Sequence, residues 1–293
     1  MIKFHTAVKQ YLEWKATYTA TAFKMYKSPL KHLTDYFGAD REITSITLTE
    51  LNTFHISLQK TNSPGNVRNI MTISKNFFEF YSGQNYNLAF NPLQVRTPKI
   101  LLNSHLAVMP DDFERMNESI GESTFSDLSK KLLINLLHDT GMRIGEALSL
   151  NTTDINLGER IAVVRTEKSK QLRYIMWSEP TSLIMKKYLG IRLCINQRPA
   201  LFIASNIGGR NDRLCIRTSQ RWIKEVARQA GLTKKLSPHS FRHGKVHELA
   251  GEGADYYHIA KIVGHTDPKS TLKNYMVFNK TEFIQIADQF LRH

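Results

Sequence analysis

The amino-acid sequence predicts a mainly α-helical protein with one small antiparallel β-sheet, divided into two domains. Three observations carry that prediction. A chain of 293 residues is long enough for two hydrophobic cores at about 150 residues each. Apolar residues recur at spacings of three and four along most of it, the period of a helix with one buried face. Two β-rich runs, 155–166 and 173–177, stand close together as the main interruption of that period.

The first element follows from Phe4, Val8, Tyr11, Leu12 and Trp14, which fall on one helical face. A second apolar series runs from Tyr18 through Phe23, Tyr26, Leu30 and Leu33 to Phe37. Pro29 predicts a kink or a break within it, and Gly38 a stop. Thr47 three residues before Glu50 has the form of a capping box, which opens a third helix through Leu58. Ser63-Pro64-Gly65 closes it. Val67, Ile70, Met71, Ile73, Phe77, Phe78 and Phe80 make the fourth helix, ended by the turn residues Ser82 and Gly83. Residues 1–90 thus form an all-helical domain.

Pro92, Pro98 and Pro110 punctuate a stretch with no sustained period, so residues 91–106 read as an extended linker. The second domain, 107–293, opens with helices over 111–120 and 128–138. The β-rich runs then form a hairpin across the polar turn Glu167-Lys168-Ser169-Lys170-Gln171. Helices resume over 182–193, 219–230, 240–250 and 256–263. A last one, 281–292, carries Phe283, Ile284, Ala287, Phe290 and Leu291 as one apolar stripe.

Composition narrows the function. With 41% hydrophobic and 23% charged residues and no low-complexity tract, the chain is globular rather than disordered or fibrous. Forty Lys and Arg against 26 Asp and Glu leave a formal charge of +14, which calls for a polyanionic partner, and nucleic acid is the first expectation. Basic residues outnumber acidic ones on both sides of residue 103, so both domains are expected to touch it. No apolar run is long enough to span a membrane, and Met1–Thr6 lacks the apolar core of a signal peptide. Two cysteines are too few for a disulfide framework, so a reducing cytoplasmic setting is expected.

No phosphate loop accompanies Gly244-Lys245, and Gly251-Glu252-Gly253 lacks the third glycine of a dinucleotide fingerprint, so no nucleotide cofactor is implied. His239, His243 and His247 are spaced four apart and could line a helical face as metal ligands. No His-Glu-x-x-His pattern accompanies them, and solvated or phosphate-contacting histidines are the other reading. No metal and no other cofactor are assigned.

The sharper signal is a scattered set. It comprises Thr140-Gly141-Met142-Arg143-Ile144-Gly145-Glu146, Lys168 in the hairpin turn, His239-Ser240-Phe241-Arg242-His243, Gly264-His265 and Tyr275. In order and approximate spacing, the set resembles the tyrosine recombinase (phage integrase) family, and the resemblance extends over nearly the whole chain. It implies a helical core-DNA-binding, SAM-like domain over 1–90 and a mixed α/β catalytic domain over 107–293, closing around duplex DNA as a C-shaped clamp. The short Xer-like or simple mobile-element recombinases are the members it resembles. A homotetramer assembled on double-stranded DNA, linked cyclically by its C-terminal segments, is also implied.

The chemistry can be stated from the residues themselves. Cleaving a phosphodiester without a metal requires a nucleophile, cations for the charge that develops on the non-bridging oxygens, and an acid for the departing oxygen. The planar forks of Arg143 and Arg242 suit bidentate phosphate contact. The resemblance makes Lys168 the acid for the leaving 5′ oxygen, His239 an acid/base for the tyrosine, His265 a hydrogen-bond donor to the phosphate and Tyr275 the nucleophile of a 3′-phosphotyrosyl link. Each position has a competing reading. Arg143 could be a structural ion-pair partner of Glu146, and Glu146 either orients Arg143 or is an ordinary solvated residue. Lys170 stands two residues from Lys168. Tyr275 lies ten residues after His265 where the family pattern has nine, so it could be a core aromatic, with Tyr256 or Tyr257 acting instead. At the level of function, type IB topoisomerase-like relaxation of DNA and an inactive DNA-binding relative are the alternatives.

Overall fold

The computed structural model describes residues 2–18, 22–98, 106–165, 172–195, 198–204 and 213–264. The expected C-terminal helix 281–292 lies outside the described residues, as do Lys168, His265 and Tyr275. The chain separates into two compact units, Met1–Asn103 and Ser104–His293.

The first unit is built from α1 (Phe4–Ala16), α2 (Ala22–Phe37), α3 (Leu48–Thr61) and α4 (Pro64–Gly83). Phe4, Tyr11, Leu30, Leu33, Leu51, Phe54, Ile70, Phe77 and Phe78 fill its core. The period-3.6 spacing of these side chains is what makes each helix amphipathic, and their burial rather than helix propensity holds the elements. Thr47 and Glu50 do form the capping box: the Glu50 amide donates to Thr47 Oγ1 at 3.3 Å and the Thr47 amide donates to Glu50 Oε2 at 3.0 Å. Ser63 caps α4 with Pro64 at its first position, where a missing N–H costs nothing. Pro29 does not break its helix: α2 runs on through it to Phe37, because Leu30, Leu33 and Phe37 beyond the proline are all buried in the same core. Phe90 and Val95 also belong to that core, brought in by a 3₁₀ turn over Pro92–Gln94.

The second unit contains α5 (Pro110–Glu118), α6 (Phe125–Thr140), α7 (Ile144–Ser149), β1 (Ile155–Asn156), β2 (Ile161–Arg165), β3 (Leu172–Met176), α8 (Glu179–Ile195), α9 (Ile216–Gln229), α10 (Pro238–Gly251) and α11 (Tyr256–Val263). The expected single strand over 155–166 is in fact two. The chain turns back at Leu157–Arg160, where Arg160 takes a left-handed φ of 57° and the Glu159 amide donates to Asn156 Oδ1 at 3.1 Å. The sheet is therefore three-stranded and antiparallel, in the order β1-β2-β3, with Val163 opposite Tyr174.

Helix α6 is the centre of the core. Leu128, Leu132, Leu133, Leu136 and Leu137 are all buried, and they pack with Tyr188 of α8, Ile223 and Val226 of α9 and Phe241 of α10 in one cluster. Helices α10 and α11 add a smaller cluster of their own, Val246, Ile259 and Val263. Where α10 meets the segment before α5, Gly244 faces the Val108 backbone so closely that any Cβ would overlap the Val108 carbonyl oxygen. The Val108 amide donates to the Ser240 carbonyl at 3.0 Å across the same joint.

Candidate active site

The site begins where α6 ends. Gly141 caps that helix in the left-handed region at φ 56°, and a Cβ there would stand 3.0 Å from Val263 and 3.1 Å from Lys245. Both the conformation and the close approach require glycine. The chain then turns through Met142 and places Arg143 at the cap of α7. The Arg143 amide donates to Glu146 Oε2 at 3.0 Å, and its Nη1 donates to Glu146 Oε1 at 3.1 Å and to the Gly264 carbonyl at 3.0 Å.

Arg242 arrives from α10, almost wholly buried at 2% exposure. Its Nη1 donates to the Gly141 carbonyl at 3.0 Å and makes a second, short bond to the Val263 carbonyl. Burial, reinforced by the nearby positive charge of Arg143, pulls its guanidinium down to about 9, still charged at neutral pH. A third arginine completes the group. Arg173 on β3 donates from Nη1 to the Ile262 carbonyl at 2.8 Å and from Nη2 to Glu146 Oε2 at 2.9 Å. Burial lowers its pKa as well, opposed by the Glu146 carboxylate.

Three successive carbonyls at the end of α11, those of Ile262, Val263 and Gly264, thus each accept from a different arginine. A helix C-terminus carries partial negative charge and exposes unpaired carbonyls, so it is a natural seat for cations. The one carboxylate in the group, Glu146, has a fully buried side chain. Three guanidinium groups around one carboxylate leave an excess of two positive charges. Taking charge out of water is costly unless it is paired, so this arrangement suits a ligand that brings anionic oxygens.

Of the expected site residues, Arg143 and Arg242 are brought together here. His239 lies one turn before Arg242 on α10, exposed, with its ring edge-on to His243 at 5.3 Å. Glu146 is the buried orienting carboxylate rather than a solvated residue, and Arg143 is its ion-pair partner as well as a candidate phosphate ligand. Tyr256 and Tyr257, the alternative nucleophiles, are exposed on the first turn of α11. Arg173, five residues after Lys168 as in the family pattern, is the member to which the sequence reading gives no role. The signal that could have found it is a charged side chain sharing the inward face of β3 with the buried Ile175 and Trp177. Among the described residues no group of three or more His, Cys, Asp or Glu is placed to hold a metal ion, and no helix is long and apolar enough to cross a membrane.

The model of the phage integrase family matches residues 107–282, more than half of the chain. The chain belongs to the phage integrase family. It is a site-specific tyrosine recombinase, an enzyme that breaks and rejoins DNA strands. It is 25% identical over 288 residues to a tyrosine recombinase of Thermosipho africanus, covering 95% of this chain and 93% of the relative. It is equally 25% identical to the tyrosine recombinase XerD of Listeria monocytogenes, over 93% of each chain. In fold it is similar to the Tn1549 transposon integrase in complex with transposon right end DNA. The TM-score is 0.79 at 16% identity, over 99% of this chain and 100% of that one.

Proposed function

We propose that this recombinase cuts double-stranded DNA by a transesterification at one phosphodiester, with Tyr275 as nucleophile. The tyrosine oxygen attacks phosphorus and forms a 3′-phosphotyrosyl ester; the bond from phosphorus to the 5′ oxygen breaks. Lys168 delivers the proton that the departing 5′ oxygen takes up, and His239 receives the proton of the phenol. Arg143, Arg242 and His265 hold the non-bridging oxygens, whose charge grows in the transition state. Because the ester conserves the bond energy, a 5′-hydroxyl from another strand can reverse the step without ATP. Exchange between sites, for integration, excision or resolution, is the outcome. The names of the relatives, all recombinases or integrases, favour it over relaxation of supercoils.

The observation that carries this reading is the cluster of three arginines, Arg242 buried and Arg143 and Arg173 half-buried, that holds a single buried carboxylate. We assign DNA binding to the helical unit as well, and assembly to a homotetramer on DNA through the segment 281–292. The setting is the cytoplasm, with neither cofactor nor nucleotide in the chemistry. The test is direct. Covalent protein–DNA complexes are captured under denaturing conditions from cells expressing the chain, and the attached ends are sequenced. Defined ends linked through their 3′ phosphate are expected from the wild type and none from Tyr275→Phe, which keeps its affinity for DNA. Linked ends that persist in Tyr275→Phe would move the nucleophile to another tyrosine.

A further inference from the structure

Glu146 has two competing claims on it. Arg143 engages it through a backbone amide on Oε2 and through Nη1 on Oε1, while Arg173 Nη2 shares Oε2 with that amide. Held by Arg143 alone, a fully buried carboxylate would cancel the charge of the guanidinium that it aims. With Arg173 present, the carboxylate is divided between two cations. Arg143 spends only Nη1 on Glu146 and Gly264; among the described residues, no hydrogen bond occupies its Nε or Nη2. Arg173 is fixed in turn: its Nη1 is bound to the Ile262 carbonyl, and Gly264 passes so close that any Cβ would overlap Arg173 Nε.

We propose that Arg173 is a positioning residue for the cleavage reaction: it shares Glu146 with Arg143, so that Arg143 is oriented by the carboxylate without being neutralised by it. This rests on the strand-cleavage reading given above. It makes a prediction that a plain structural strut does not. In the wild type, Arg143, Arg173 and Arg242 against Glu146 leave two excess positive charges. Arg173→Met leaves one. Arg173→Met combined with Glu146→Gln leaves two again, and the glutamine carbonyl can still accept from the Arg143 amide.

The experiment measures the rate of covalent adduct formation on a nicked duplex carrying the DNA end recovered from the wild-type complex. Thermal unfolding is followed on each variant. Arg173→Met is expected to slow adduct formation by about 10²-fold, the scale of a misplaced or weakened reacting-centre contact, and the double variant to recover most of that loss. A double variant as slow as Arg173→Met, with an active wild type, overturns the role given to Arg173 and leaves the cleavage reading intact. A wild type that forms no adduct overturns the cleavage reading itself. If Arg173→Met does not fold, Arg173→Lys takes its place. Charge sharing then predicts a rate close to the wild type, and a loss as large as about 10²-fold with the charge retained refutes it.

Discussion

Replacing Gly244 by alanine sets two effects of opposite sign against each other. Gly244 lies inside α10, and in an open helix interior the exchange stabilises by about 1 kcal/mol. Here the new methyl would overlap the Val108 carbonyl oxygen and stand 3.1 Å from its carbon. Favourable carbon–oxygen contacts begin near about 3.3 Å, so the two backbones must part by about 1 Å, and neither has a rotamer with which to yield. Such overpacking costs about 1–3 kcal/mol. The bond from the Val108 amide to Ser240, 3.0 Å long, spans the same joint and adds about 1 kcal/mol if it opens. The net is a loss of about 2 kcal/mol, or roughly 4–8 °C in melting temperature for a domain of this size. Gly190 in α8 has nothing within 4 Å of where its Cβ would be, so Gly190→Ala should raise stability by up to about 1 kcal/mol. Thermal unfolding of the pair reads the difference. A melting temperature for Gly244→Ala at or above the wild type refutes the reasoning. Because Arg242 stands two residues away on the same helix, the variant should also cleave DNA about 10²-fold more slowly.

Asp139→Asn should lower stability at neutral pH by about 2 kcal/mol. Burial raises this carboxyl, but His138, Thr181 and Ser178 together outweigh it and hold it at about 2. The folded value lies below the unfolded one, so the stabilisation is complete above about pH 4 and lost as pH falls from there towards about 2. Urea midpoints against pH should show a flatter acid limb in the variant. Adduct formation should continue undiminished in EDTA, since guanidinium groups take the part of a metal; a loss that zinc restores would count against the arrangement. Affinity for duplex DNA should fall steeply and log-linearly with salt, as measured by titrations at several ionic strengths.

Much of the fold is legible locally. The capping box at Thr47 and the leucine period of α6 involve residues within one or two turns of each other, and a sequence displays such relations directly. The break between β1 and β2 is hidden because Leu157 sustains the apolar pattern, while the turn rests on a left-handed Arg160, which composition does not announce. The outer face of β3 is hidden for a related reason. Leu172, Tyr174 and Met176 point outward and Ile175 and Trp177 inward, so both faces are apolar and alternation names neither as the inside. Within the site, Arg143 and Arg242 are legible as motif members. Their partners are not: the bond from Arg143 to Gly264 spans 121 positions and that from Arg242 to Gly141 spans 101. A backbone carbonyl has no letter of its own, so the three acceptors at the end of α11 leave no trace in the sequence beyond Gly264.

Those three acceptors make the last turn of α11 a common latch. The helix is eight residues long, and two of its three buried residues, Ile259 and Val263, rest on a small cluster apart from the main core. Segments with few buried contacts open at a lower free energy than the domain as a whole. When this turn frays, Arg143, Arg173 and Arg242 each lose one backbone acceptor at the same moment, and Glu146 and the Gly141 carbonyl are left to hold them. The bond from the Gly264 amide to the Ala260 carbonyl, 2.9 Å long, closes that turn. Hydrogen exchange at this one amide would therefore report how often all three arginines lose that shared support at once.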